Sequence, residues 1–341
     1  MADEEPWASR PFAQKYLLQD IPGFDKVPPD MRDALEKFGI DADHITHSLL
    51  EELQSQEPPA IIYHYTDDVG LRGILETGQL WLTDIFSLND PSELSHGFSH
   101  AIKIINEKSA NGSPGSRIFA RHFTEFALQG GIRQVVRLFI CSFSASGDDL
   151  GQWRAYADNG CGYALGFDAK ALEHGFTIDG LTPIPNNSTF YVRYKDAELR
   201  EIDARIIDKM FDLISLPSGR GLPSDSIVAY MASLQILLTL HVLIAALFFK
   251  HEGYANEREY RFLHAEEMHP PTTAKLRSRP YSLVRYQEFD WKKVSSQALR
   301  EVVVGPAADR TKASHFAIDC LNLFCSGTVE LKYSEIPYRR L

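Results

Sequence analysis

The sequence predicts an α+β fold, a mostly β core interrupted by helices, and two kinds of segment carry that expectation. Short runs rich in β-branched and aromatic residues recur at 61–66 (IIYHYT), 79–84 (QLWLTD), 135–146 (VVRLFICSFSAS), 162–168 (GYALGFD), 259–265 (EYRFLHA), 300–305 (REVVVG) and 328–333 (TVELKY). Between them lie stretches with helical i, i+3, i+4 apolar spacing, separated by turn-rich breaks at NEKSANGSPGSR, PIPNNST and LPSGRGLPSD. A chain of 341 residues, 44% hydrophobic and 24% charged, has the composition of an ordinary globular protein, which excludes disordered, collagen-like and repeat classes.

Residues 1–57 read as a separate helical extension. Asp30 caps a helix through Phe38, Gly39 stops it, and HITHSLLEEL supplies a second amphipathic stretch. Pro58 and Pro59 then mark the boundary with a second unit, 58–341. After the strand at 61–66, Leu71, Ile74 and Leu75 form the stripe of a helix over 69–77, with Gly78 as its stop. In SLNDPSEL, Asp90 suits a cap, Pro91 the first helical position and Glu93 the reciprocal acid of a capping box. Asp148 or Asp149 opens a short helix carrying Trp153 and Tyr156, which Gly160 ends.

Charge and cysteine usage narrow the class. Against 46 Asp and Glu stand 35 Lys and Arg, a formal charge of −11, so non-specific wrapping of a phosphate backbone is excluded while a local basic groove is not. Cys141, Cys161, Cys320 and Cys325 are too few and too irregular for a disulfide framework or a paired zinc site, which predicts a reducing, cytoplasmic setting. The acidic start MADEEPWASR has no apolar core, so no signal peptide is read. Residues 227–249 (IVAYMASLQILLTLHVLIAALFF) are long enough to span a bilayer, but Ser233, Gln235, Thr239 and His241 interrupt them and a charged strand follows. The expectation is a buried helix beneath the sheet that positions the turn after it, with no membrane partner.

No G-x-G-x-x-G, Walker loop or G-x-S-x-G elbow is present, which removes the Rossmann, P-loop and α/β-hydrolase readings. Glu93, His96 and His100 fall near one helical face and form a possible ligand set. Since the sequence offers no further ligand cluster, a metal is not expected. The strongest constellation spreads over three strands: His64, then Ser142 and Ser144, then Glu257 and Glu259 in NEREYRF. Two carboxylates freed from strict alternation by a turn suit two tasks, one stabilising positive charge on a ribose-like ring and the other taking a proton from a nucleophile. His64 would hold a sugar hydroxyl, and Trp153 and Tyr156 offer flat faces to an aromatic ring. Each residue also has a structural reading: a packed core histidine, edge-strand serines, core aromatics, a solvated charge cluster with Arg258 and Arg261.

The segments YHYTDDVGLRGILETGQLWLTDIFSLNDPSE, WRAYADNGCGYALGFD, FFKHEGYANEREYRF and REVVVGPAA resemble successive blocks of a mostly bacterial family of an uncharacterised domain, the two-nine-seven-one group, over about residues 60–310. The first block is similar to the opening strand and helix of ADP-ribosyltransferases, where a His or Arg in a strand precedes a helix of the form x-L-x-x-I-L-x-x-G. The resemblance implies a split β-sheet that binds NAD+ as substrate and breaks its nicotinamide N-glycosidic bond. It puts Glu259 in the place of the catalytic Glu, Glu257 in that of the first acid of the Q/E-x-E loop, and His64 on the adenosine-side ribose, with Ser142 and Ser144 as the serine strand. Tyr65, Thr66, Asn89, Trp153, Arg154 and Tyr156 join the expected NAD+ contacts, and Arg72, Arg154 and Arg261 are candidates for the pyrophosphate. Asn89 and Asp90 have a prior explanation in turn and capping chemistry. The serine strand reads C-S-F-S rather than S-T-S, and a His combined with E-x-E mixes two subclasses, which leaves the acceptor open: protein, nucleic acid, or water in an NAD glycohydrolase. A role in conflict between bacteria, phages and hosts fits the class. The runner-up is a non-enzymatic nucleotide- or peptide-binding module of the same fold.

Overall fold

Pro28 and Pro29 start the first helix, because a missing N–H costs nothing where the helix has no acceptor for it. The computed structural model describes residue 18 and residues 21–88, 92–129, 133, 137–179, 182–183, 187–266 and 272–338. In chain order its elements are α1 (Pro29–Gln54), β1 (Ile61–Thr66), α2 (Asp68–Thr77), β2 (Gln79–Asp84), α3 (Ser92–Ala110), α4 (Pro114–Leu128) and β3 (Arg137–Ser144). There follow α5 (Leu150–Tyr156), β4 (Tyr163–Asp168), α6 (Ala169–Thr177), the two-residue strands β5 (Ile178–Asp179) and β6 (Thr182–Pro183), and β7 (Asn187–Tyr191). The chain continues through α7 (Asp196–Phe211), α8 (Ser224–Leu247), β8 (Glu259–Glu266), β9 (Lys275–Arg279) and β10 (Ser282–Asp290). It ends with α9 (Trp291–Ser295), β11 (Leu299–Val304), α10 (Arg310–Phe324) and β12 (Glu330–Tyr333).

α1 corrects the expectation of two helices divided at Gly39. Leu35, Phe38, Ala42, Ile45, Leu49 and Leu53 stay in phase across the glycine and are all buried. Burial of that stripe outweighs the roughly 1 kcal/mol that a mid-helix glycine costs. Its apolar side chains join the same core as those of α7 and α8. Elsewhere the local signals act as read: Gly78 ends α2 in the left-handed region at φ 70°, and Asp67 and Asp149 cap α2 and α5 by accepting from the Gly70 and Gln152 amides. The cap of α3 around Asp90 lies outside the described residues.

The fold is a mixed α and β one built on a mostly antiparallel open sheet, in which the described residues form ten strands. Its main path runs β12-β11-β4-β1-β3-β2-β10-β9, while β8 pairs with β3 and carries β7 on its far side. Only β11 and β12 run parallel among these pairs. Alternation along β3 and β8 divides the core in two. Ile140 and Leu263 pack on the layer of α1, α3, α4, α7 and α8, whereas Phe139, Cys141, Phe143, Tyr260 and Phe262 pack with α2, α6, α9 and α10 on the opposite face.

α8 is long and apolar enough to cross a membrane by length and composition, yet 67% of its most apolar window is buried inside the protein. It lies in the larger core with α1, α3, α4 and α7. His241 is enclosed there with its ring edge-on to Phe38, and burial pushes its imidazole down to about 3. Below its unfolded value near 6.5 the unfolded chain takes up a proton that the folded one refuses, so stability falls with pH until the folded value is passed. From pH 6.5 to pH 5 the loss from this residue is about 2 kcal/mol. Urea unfolding of His241→Met at both pH values is expected to lack that part of the wild-type decline.

Candidate functional site

β3 is the strand around which the site is built. β8 pairs with it over its whole length, from Arg137↔Glu266 to Ser144↔Glu259. Its other edge is divided, because β2 pairs at Phe139 and Ile140 and β1 pairs only at Ser144. Between those contacts β1 and β2 diverge, and residues 141–143 face a cleft of about 460 Å³. His64, Tyr65, Trp81, Thr83, Ser142, Tyr156, Lys250, Tyr254, Glu257, Glu259 and Arg279 contribute to its walls. Space of this size suits a small ligand or part of a dinucleotide.

Glu259 stands at the inner wall, 4% exposed. The Ser142 hydroxyl donates to its Oε1 at 2.6 Å, Arg261 donates to both of its oxygens through Nε and Nη2, and Lys250 Nζ donates to Oε2 at 3.2 Å. Burial alone would raise its pKa, but the Arg261 and Lys250 charges and the hydrogen bonds outweigh that and hold the carboxyl well below the usual carboxylate range. Lys250 also bridges to Glu257, so two acids and two bases form one buried, formally neutral cluster. Arg261 is itself anchored on the Leu247 carbonyl, which ties the cluster to the last turn of α8.

The two acids meet at the turn before β8. Arg258 between them sits in the left-handed region at φ 46°, and Glu257 and Glu259 both reach the Lys250 ammonium. A non-glycine residue there costs on the order of 1 kcal/mol and persists because its surroundings hold it. Ser144 donates to the Glu257 carbonyl at 2.7 Å, the Ala145 amide to the Arg258 carbonyl at 3.0 Å, and the Glu259 amide to the Tyr194 hydroxyl at 2.8 Å.

His64 enters the cleft from β1. Its Nδ1 lies 3.3 Å from the Ser142 carbonyl on the divided edge of β3, and its ring packs edge-on against Phe143. Burial lowers its pKa, with the carbonyl opposing, so the ring is neutral at neutral pH. A carbonyl only accepts, so Nδ1 carries the hydrogen and Nε2 is left as an acceptor. Next to it, the Tyr65 hydroxyl donates to the Ser146 carbonyl and accepts from the Asp149 amide, fixing the loop that leads to α5. Cys141 also faces the cleft, but burial pushes its thiol up to about 12, so it is no nucleophile at neutral pH.

Of the residues singled out from the sequence, His64, Tyr65, Ser142, Tyr156, Glu257 and Glu259 share the cleft. Ser144 is buried beneath it and holds the turn. Trp153 is fully buried against Tyr65, its indole N–H on Asp148, and does not line the cleft. Thr66 lies at the end of β1 opposite Tyr163, outside the cleft wall. Arg154 is exposed on α5, Arg72 pairs with Glu76 on α2, and Arg261 is committed to Glu259. Asn89 and Asp90 lie outside the described residues. The wall residues that escaped sequence reasoning include Lys250, Trp81 and Arg279. Lys250 had a signal, a lone base at the end of a 23-residue apolar run and just before two acids. Trp81 is 42% exposed, stacked on Tyr286 with the Arg277 guanidinium over its ring, and Arg279 hydrogen-bonds the Ser87 carbonyl.

Residues 152–262 match the family model described as Protein of unknown function (DUF2971), which supports the resemblance to that uncharacterised-domain family. The matched stretch contains Lys250 and the whole E-x-E turn, while His64, Ser142 and Ser144 precede it. No curated protein and no solved structure matches the chain.

Proposed function

We propose that this protein is an NAD+-consuming enzyme of the ADP-ribosyltransferase-like type, which cleaves the nicotinamide N-glycosidic bond and transfers ADP-ribose to a protein or nucleic-acid acceptor. The observation that carries the reading is the hydrogen bond from Ser142 to an ionised Glu259 on the wall of a cleft that also holds His64 and Glu257. The bond between the ribose C1′ and the nicotinamide nitrogen breaks with its electron pair leaving on nicotinamide, so positive charge grows on the ribose. Glu259, kept ionised, accepts from a ribose hydroxyl and faces that charge. Glu257 takes the proton from the acceptor as it attacks C1′. The His64 Nε2 accepts from a hydroxyl of the second ribose. Arg279 supplies positive charge for the pyrophosphate, in place of the exposed or committed Arg72, Arg154 and Arg261. Trp81 and Tyr156 offer aromatic faces to the two bases.

With Trp81 as a platform, Trp81→Ala is expected to raise KM for NAD+ about tenfold, the scale of one base–aromatic stack, with little change in kcat. A lowered kcat at unchanged KM would place Trp81 away from the bound base.

Glycohydrolysis shares the first step and differs only in the acceptor. A second reading, a non-enzymatic nucleotide- or peptide-binding module, is favoured by one feature: both Glu259 oxygens are already occupied by Arg261, Lys250 and Ser142. Incubation with adenine-labelled NAD+ and a cell lysate separates the three. Label on macromolecules is the result expected of a transferase, free ADP-ribose marks a glycohydrolase, and thermal protection by NAD+ with no turnover marks the module.

A further inference from the structure

Outside the cleft wall, α3 and α7 bring together side chains to which the NAD+ reading gives no role. His96 and His100 stand one turn apart on α3, and Asp196 is the first residue of α7. The His96 Nε2 lies 3.1 Å from one Asp196 oxygen and the His100 Nε2 4.0 Å from the other. One ligand atom from each residue lies within 4.8 Å of the others. Among the described residues the His100 Nε2 is buried without a hydrogen-bond partner, an unusual state for a ring nitrogen aimed at a carboxylate.

We propose that His96, His100 and Asp196 form a binding site for a first-row divalent transition metal, with Zn2+ as its representative ion. Two imidazoles one turn apart on a helix plus one carboxylate are a donor set suited to zinc, and three protein ligands leave a fourth position for water. Arms of 2.0–2.2 Å in a tetrahedron put neighbouring ligand atoms about 3.3 Å apart. The His96–Asp196 pair is already near that spacing, and the remaining ligand separations, which lie within 4.8 Å, close to it with side-chain shifts of up to about 1.5 Å. Lys103 and Arg200 lie close enough to repel a free cation, so affinity rests on coordination rather than on the local field.

His251 supports this site rather than ligating in it. Its ring meets that of His96 edge-on at 5.1 Å, and its Nδ1 accepts from the Gly253 amide, which leaves the hydrogen on Nε2. The site touches both flanks of Glu259: His251 precedes the turn, and Asp196 lies two residues beyond Tyr194, whose hydroxyl receives the Glu259 amide. A metal there braces α3, α7 and the E-x-E turn as one unit. Glu93, grouped with these histidines from the sequence, has a side chain outside the described residues, and Asp196, about 100 residues away in sequence, supplies the carboxylate.

The test uses the purified full chain, stripped with a chelator and titrated with Zn2+ against a chromogenic competitor. One equivalent is expected to bind, weakened at least about tenfold in His100→Ala and in Asp196→Asn, since even outer partners of metal ligands carry 10- to 100-fold. Circular dichroism reports whether each variant is folded. Asp196→Cys, which keeps a ligand in place, is expected to give a thiolate-to-cobalt charge-transfer band with one equivalent of Co2+. No stoichiometric binding, equal affinity in the folded variants, or a missing cobalt band would each overturn the assignment. None of these readouts depends on NAD+ turnover.

Discussion

Glu259→Gln is expected to lose nicotinamide release and, at the same time, about 3–5 kcal/mol of folding stability. The activity loss follows from the charge: a neutral amide no longer stabilises a ribose cation, and removal of one such group costs about 100- to 1,000-fold. The stability loss follows from burial. Arg261 is 1% exposed and makes its side-chain hydrogen bonds to Glu259 and to the Leu247 carbonyl. An amide offers that fork one neutral oxygen, leaving a buried guanidinium poorly compensated. Loss of activity in the single variant would therefore not separate chemistry from unfolding. The paired variant Glu259→Met/Arg261→Met removes both charges and leaves Lys250 with Glu257, so it is expected to recover most of the stability while remaining inactive. Urea unfolding checks the first half, and nicotinamide release checks the second.

Asp203→Asn is expected to stabilise the protein by about 1–3 kcal/mol at pH 8 and to change little at pH 4. Asp203 lies on α7 with no exposure, and neither oxygen makes a full hydrogen bond among the described residues. Burial raises its pKa well above the usual value of 3.8, with the Ala101 backbone opposing it. The sign follows: between the unfolded and folded values the native chain holds a proton that the unfolded chain has released. Stability from this residue is complete below pH 3.8 and is lost as pH rises through the folded value. Asparagine copies the protonated acid in shape and polarity, so it matches the wild type at pH 4 and escapes the loss above it. Equal stability at both pH values would mean that Asp203 ionises in place at no cost.

Seven of the ten sheet strands among the described residues were legible because their signals are local, whereas β7, β9 and β10 were not read and the turn-rich break at PIPNNST covers the start of β7. IIYHYT, QLWLTD and EYRFLHA carry alternation or β-branched runs bounded by turn residues, and Asp67, Gly78 and Asp149 act within three or four positions of themselves. The E-x-E turn was legible for the same reason, since two acids flank a residue that can break alternation. What escaped depends on distant partners. Gly39 reads as a helix stop until α7 and α8 cover the stripe that carries α1 through it. Trp153 and Tyr156 read alike on a short helix, and distant partners, Tyr65 of β1, Ala164 of β4 and Val303 of β11, decide that Trp153 faces inward. His96 and His100 lack a carboxylate until the fold brings up Asp196. Arg279 enters the cleft wall because β9 and β10 extend the sheet beyond β2, the strand that carries Trp81.

The central claim is that the divided edge of β3 forms an NAD+ site at which an ionised Glu259 serves the chemistry. Release of nicotinamide from nicotinamide-labelled NAD+, measured for the wild type beside the folded Glu259→Met/Arg261→Met pair, tests it most directly. Time-dependent release above the buffer rate by the wild type, at least about 100-fold lower in the pair, is the predicted result. No release by the folded wild type, or equal release by both proteins, would contradict it.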